Sequence, residues 1–102
     1  MPQEIAPHQF DGAVAQGVVL VDFYTTTCGP CRQLAPVLSQ FEQQVGGRVR
    51  IVKINVELPG GQKFGIRSVP TLVLFVDGRE VDTRQGFQNA NQLHAMVQPY
   101  VT

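Results

Sequence analysis

The only two cysteines of this 102-residue chain lie within one tetrapeptide, Cys28-Gly29-Pro30-Cys31. Such a pair can be half of a zinc site, a haem attachment point, a structural disulfide or a redox-active dithiol. Structural zinc takes four ligands. Besides the two cysteines the chain has only two histidines, His8 and His94, and neither has the spacing of a zinc finger. Haem attachment needs a histidine directly after the second cysteine, where this chain has Arg32.

The spacing favours a redox dithiol over a structural disulfide. Closing so short a loop removes little entropy from the unfolded chain, about 2 kcal/mol by the loop-length relation. A helix is predicted to begin at the pair, and unpaired N–H groups and the helix dipole favour a thiolate there. Cys28 occupies that place, and Cys31, one turn further, is near enough to close a ring back onto it.

The elements around the pair follow from hydrophobic periodicity. Residues 18–23 read as a short buried strand rich in β-branched side chains. Apolar residues from Leu34 to Val45 recur with helical spacing, which predicts a helix with Pro30 in its first turn and Gly46-Gly47 at its end. Pro36 inside this helix predicts a kink.

The remaining elements predict an α/β fold in one domain spanning residues 1–102. Asp77-Gly78 is a hairpin signal, and a strand–helix–strand start implies a parallel crossover. Together they predict a mixed central β-sheet flanked by helices on both faces. The other expected elements are an opening helix (9–16), strands (49–56, 71–76 and 80–85), a short helix within 57–67, and a last helix capped by Asn89 or Asn91.

Composition narrows the classes of partner. Lysine plus arginine equals aspartate plus glutamate, eight against eight, so no basic face for nucleic acid is indicated. The longest apolar runs, VVLV and LVLFV, are too short to span a bilayer. The N-terminus lacks a basic region followed by an apolar one, which is the pattern of a signal peptide. We therefore expect no nucleic-acid or membrane partner and a cytoplasmic location.

Five motifs resemble thioredoxins in order and spacing: FYTTTCGPCRQLAP, KINVE, RSVPTLVLF, DGRE and RQGF. The resemblance runs from about Phe10 to Val101 and implies the thioredoxin fold. It also implies a protein-disulfide reductase, an electron carrier that cycles between the dithiol and disulfide of Cys28 and Cys31. The protein is expected to be a monomer. The implied partners are disulfide-containing protein substrates and a thioredoxin reductase, which passes on electrons from NADPH. No bound cofactor or metal is implied.

The resemblance assigns catalytic roles to four residues. It makes Cys28 the attacking thiolate and Cys31 the thiol that resolves the mixed disulfide. It makes Asp22 a buried proton acceptor behind Cys31, with a pKa raised by burial, and places Lys53 near that carboxylate. From the residues alone, Asp22 is equally readable as a solvent-facing strand end and Lys53 as an ordinary polar strand residue.

Substrate contacts follow from the resemblance in the same way. It implies a cis proline at Pro70 that faces the dithiol, with nearby backbone offered to the substrate in a β-like contact; without it, Pro70 is readable as a trans proline that starts a strand. The residues implied to contact substrate are Thr27, Gly29, Pro30, Val69, Pro70 and Gly86.

Two departures from the family pattern bear on function. Thr27 stands where the family usually has tryptophan, which removes an apolar wall from the docking surface, whereas Tyr24 is a conservative change. The connection from Glu57 to Gly65 is about two residues shorter than usual, so its short helix is expected to be reduced. The alternatives to a general reductase are a specialised reductase for one partner and a non-enzymatic thioredoxin-fold binding module. The intact CGPC, Asp22 and Pro70 argue against the binding module.

Overall fold

A computed structural model describes residues 2–101 of the chain. The strands are β1 (Gln3–Glu4), β2 (Val18–Tyr24), β3 (Arg50–Asn55), β4 (Thr71–Val76) and β5 (Arg79–Gln85). The α-helices are α1 (Phe10–Val14), α2 (Gly29–Val45) and α3 (Ala90–Val97). Single 3₁₀ turns cover Pro7–Gln9, Gly46–Arg48, Gly61–Phe64 and Gln98–Tyr100.

The strands form one mixed sheet in the order β1-β3-β2-β4-β5. β3 pairs in parallel with β1 and β2, whereas β4 is antiparallel to both β2 and β5. The predicted parallel crossover and the predicted hairpin are therefore confirmed. β1 was not predicted, because two residues are too few to carry a period-two pattern. β1 and β5 are the two edges, and the β4–β5 register shifts between Leu74 and Phe75.

Each face of the sheet carries its own apolar layer. Leu20, Leu72 and Leu74 pack on one face against the apolar stripe of α2 and the buried side of α3. Val21 and Val73 lie on the opposite face beneath α1 and the 3₁₀ turn Gly61–Phe64. Because successive strand residues point to opposite faces, Asp22 shares the α2 face with Leu20.

Local signals explain where the elements begin and end. Cys28 is the N-cap of α2, and Gly46 ends this helix with φ at +59°. Asp77 and Gly78 both have positive φ, as a two-residue hairpin turn requires. Asn89, one of the two residues predicted as the cap, caps α3 through its side chain. The opening helix is shorter than expected, since residues 7–9 form a 3₁₀ turn and α1 ends at Val14.

The connection after β3 contains only the 3₁₀ turn Gly61–Phe64, which confirms the expected reduction of the short helix. Gly61 is required there. A Cβ on this residue would collide with the backbone carbonyl of Val56, so the chain closes back on itself only with hydrogen at that position.

Candidate active site

Cys28 and Cys31 form a disulfide at the start of α2, with their Cα atoms 5.2 Å apart. The Cys28 Sγ accepts a hydrogen bond from the Cys31 backbone N–H at 3.1 Å, so the sulfur itself caps the helix. An N–H group aimed at the sulfur, together with the helix dipole, stabilises negative charge on it. The predicted placement of Cys28 at a helix N-terminus is confirmed.

The two sulfurs differ in exposure. Cys28 is half-buried, whereas Cys31 is 4% exposed. The Cys28 Sγ also lies 3.6 Å from the carbonyl oxygen of Val69, to which a reduced thiol can donate. Of the two sulfurs, only that of Cys28 is accessible enough to attack a large substrate. The peptide bond between Val69 and Pro70 is cis, which is the form that the resemblance implies.

Asp22 lies buried on the α2 face of the sheet, and its residue is 1% exposed. Neither of its carboxylate oxygens has a hydrogen-bond partner. Burial raises the pKa of Asp22 from 3.8 to about 7; the charge of Lys53 lowers it and the charge of Glu4 raises it. The carboxyl group can therefore take up or release a proton near neutral pH.

Lys53 lies beside Asp22 in the parallel register, and Glu4 lies beside Lys53 on the next strand. The Lys53 Nζ is 4.5 Å from the centroid of the Tyr24 ring, and the Tyr24 hydroxyl donates to Glu4 Oε1 at 2.7 Å. Burial and that hydrogen bond raise the pKa of Tyr24. Lys53, Tyr24 and Cys31 all line a small cavity of about 180 Å³, which places the lysine next to the dithiol.

A hydrogen-bonded brace that the sequence did not suggest holds the loop before Cys28. The backbone N–H and the hydroxyl of Thr26 both donate to Glu57 Oε1 at 3.1 Å. Arg32 Nη2 donates to the Thr26 carbonyl at 3.0 Å. A usable signal existed, because Glu57 follows β3 and Thr26 follows β2, and parallel neighbours end at the same edge of the sheet.

The comparisons with known proteins agree with this site. Residues 2–99 match the family model described as Thioredoxin. The chain belongs to the thioredoxin family. It is 39% identical to a thioredoxin of Listeria monocytogenes over 105 residues, covering 99% of this chain and 100% of that protein. It is 38% identical to one of Bacillus subtilis, covering 90% of each chain, and 41% identical to one of Staphylococcus aureus, covering 88% of each.

The family and the cysteine pair together define the class of chemistry. This thioredoxin is a protein-disulfide oxidoreductase, and Cys28–Cys31 is its redox-active disulfide. Within residues 2–101, no three histidine, cysteine, aspartate or glutamate side chains are grouped as a metal site would require. None of the helices in that range has the length and apolarity needed to cross a bilayer.

The residues expected to contact substrate lie on three segments of the chain: Thr27 to Pro30, Val69–Pro70, and Gly86. Thr27, Gly29 and Pro30 are exposed around the half-buried Cys28. The other two segments are linked, because Gly86 N–H donates to the Pro70 carbonyl at 2.7 Å, which brings Gly86 beside the cis peptide bond. Phe87, next to Gly86, is 42% exposed and adds apolar area there. This thioredoxin thus has an exposed apolar side chain next to Gly86, whereas Thr27 supplies little apolar area.

Proposed function

We propose that this thioredoxin reduces disulfides in protein substrates of the cytoplasm, as a monomer that receives electrons from NADPH through a thioredoxin reductase. The observation that carries the proposal is the unequal exposure of the two sulfurs at the start of α2. An accessible Cys28 can meet a substrate, while a buried Cys31 remains reserved for the second step.

The proposed reduction proceeds by two exchanges. The Cys28 thiolate attacks one sulfur of the substrate disulfide, forms a mixed disulfide and releases the other sulfur as a thiolate. The Cys31 thiolate then attacks the Cys28 sulfur and releases the second substrate sulfur. The substrate gains two electrons and two protons in total, and the protein is left with the Cys28–Cys31 disulfide.

Asp22 is proposed as the base that removes the proton from Cys31 before the second exchange. A carboxyl group with a pKa of about 7 is matched to proton transfer at neutral pH. Lys53 is proposed to keep the pKa of Asp22 close to neutral pH, because its positive charge lowers this pKa whereas burial raises it. Its place on the cavity shared with Cys31 supports this role.

The proposed docking surface surrounds Cys28. Substrate backbone would pair beside the Val69–Pro70 bond, while Thr27, Gly29, Pro30 and Gly86 form the rim. The Val69 carbonyl, 3.6 Å from the Cys28 sulfur, lies where a bound peptide would meet the dithiol. Backbone contacts of this kind accept many sequences, which suits a reductant with a wide range of substrates.

A coupled assay tests the proposal: oxidation of NADPH by a thioredoxin reductase, with insulin as the disulfide substrate. We expect turnover that depends on this protein. Insulin reduction with dithiothreitol but none with the reductase would instead indicate a specialised reductase. No reduction with either would leave only a binding module.

A trapping experiment tests the assignment of the two cysteines. Cys31→Ser leaves attack by Cys28 possible but removes the resolving thiol, so mixed disulfides should accumulate on non-reducing gels. Cys28→Ser is the matched control and should form none, because Cys31 is buried. Adducts on the Cys28→Ser variant, or equal trapping by both, would overturn the assignment.

The exposed Thr27 specifically favours the specialised reductase as a second candidate. A threonine beside the reacting sulfur leaves space that a particular partner side chain can fill. The coupled assay separates the two candidates, because a general carrier accepts both insulin and a foreign reductase.

A further inference from the structure

A second and larger cavity, of about 460 Å³, opens on the sheet face opposite α2. Its floor is β4, through Thr71, Val73 and Phe75. The volume lies within the range of small-molecule sites in proteins, about 300–1,000 Å³. Its lining includes neither cysteine and none of the residues that we propose to contact substrate, although Thr71 and Gln85 adjoin Pro70 and Gly86 in the sequence.

The cavity exists because this face is covered over only part of its width. α1 and the 3₁₀ turn Gly61–Phe64 pack over the strands as far as β4. The outer strand, β5, turns three exposed polar residues to the same face, paired directly with the floor residues: Glu80, Thr83 and Gln85.

The inner wall of the cavity is aromatic. The rings of Phe10 and Phe64 lie 5.0 Å apart between centroids, and those of Phe23 and Phe64 lie 4.9 Å apart. Phe10 also meets Phe75 edge-on at 5.3 Å. Phe10 and Phe64 are only half-buried, so part of their ring surface faces the cavity. A flat ring entering the cavity would find stacked and edge-to-face partners.

The lining of the cavity carries one charge of each sign. Arg67 is exposed on the cavity lining, and no carboxylate within residues 2–101 forms an ion pair with it. Glu80 lines the cavity too; one of its carboxylate oxygens accepts from the Thr83 hydroxyl at 2.7 Å, which leaves the other oxygen for a second donor. A ligand of one charge would be attracted by one of these groups and repelled by the other.

We propose that this cavity binds a small aromatic zwitterion of the free aromatic α-amino acid class. The ring lies against Phe10 and Phe64, the carboxylate pairs with Arg67, and the ammonium group pairs with Glu80. The aromatic ring is thereby matched by aromatic side chains, and each charged group of the ligand by a side chain of opposite charge.

The test is a titration of the oxidised, ¹⁵N-labelled protein with L-tryptophan, followed by NMR. We expect saturable shifts at millimolar concentration, confined to residues around the cavity. N-acetyl-L-tryptophan lacks the ammonium group and L-tryptophanamide lacks the carboxylate, and both should bind more weakly. Absence of saturable shifts, or equal binding of all three compounds, would overturn the proposal.

Variants locate the site. Arg67→Gln should weaken L-tryptophan binding by about three- to ten-fold and remove the disadvantage of the amide. Arg79→Gln is the matched control, an exposed arginine that is not part of the lining, and should leave binding unchanged. Thr83→Phe should fill the cavity and abolish binding, whereas Thr83→Ser should not. Equal losses in Arg67→Gln and Arg79→Gln would show unspecific attraction and contradict the proposed site.

Discussion

Asp22→Asn should stabilise this thioredoxin at neutral pH while slowing its turnover. The carboxyl group is buried, and neither oxygen has a hydrogen-bond partner. A charged carboxylate without compensation destabilises the folded state, and asparagine keeps the shape without the charge. The same substitution removes the proposed proton acceptor of Cys31, so stability and activity should move in opposite directions.

The magnitude follows from the ionisation of Asp22. Burial raises its pKa from 3.8 to about 7. At about 1.4 kcal/mol for each factor of ten, keeping Asp22 ionised in the folded state costs roughly 4 kcal/mol above pH 7. That value is an upper bound for the gain, because the asparagine amide is also a buried polar group without partners. We expect about 1–3 kcal/mol.

The difference in stability between the variant and the wild type should depend on pH. Between about pH 4 and about pH 7, the unfolded chain has lost a proton that the folded protein still holds, so the free energy of unfolding falls as the pH rises. Asparagine does not titrate. The advantage of the variant should therefore be small near pH 4, grow with pH, and level off above about pH 7.

Urea unfolding of both oxidised proteins at about pH 4, 6 and 8, followed by far-UV circular dichroism, measures this difference. Asp11→Asn is the control, because it removes an exposed carboxylate from α1. A variant that is less stable than the wild type at about pH 8 would refute the reasoning. So would a difference that stays constant across this pH range, because it could not come from the ionisation of Asp22.

Four further substitutions test other features of the molecule. Thr27→Trp should add apolar contact beside Cys28 and improve the apparent affinity for insulin by about 1–2 kcal/mol, and an unchanged Michaelis constant would place Thr27 outside the docking surface. Gly61→Ala should lower the free energy of unfolding by about 2–4 kcal/mol through its backbone collision, whereas Gly12→Ala within α1 should raise it by about 0.5–1 kcal/mol; similar urea midpoints would contradict both. Glu4→Gln should lower the pKa of Asp22, measured by ¹³C NMR of the carboxyl group, because the charge of Glu4 raises it; an unchanged or higher value would show that Glu4 does not act on Asp22.

Local patterns in the sequence were enough to predict most of the fold. The apolar run before Asp22, the helical spacing after Cys31 and the Asp77-Gly78 turn each indicate an element by the types and spacing of residues close together in the chain. The dithiol was predictable for the same reason, since both cysteines belong to a single turn of α2.

Features that depend on distant pairings were not predictable from the residues alone. Glu57 holds Thr26 across thirty-one positions, and Glu4 reaches Tyr24 across twenty. Both contacts exist only because the parallel strands bring their ends together. The burial of Asp22 was predicted only through the family resemblance, because an aspartate near a strand end is also compatible with a solvent-facing side chain.

The two edge strands of the sheet affect how readily other chains can add to this protein and aggregate with it. A partly unfolded substrate protein can add a strand to an exposed edge of a sheet. β1 offers such a strand only two residues, and β5 offers a bulged edge lined with charged and polar side chains. Edges of this kind resist the addition of further strands. These edges therefore disfavour aggregation, while the backbone beside the Val69–Pro70 bond, where we propose that substrate pairs, remains available for exchange.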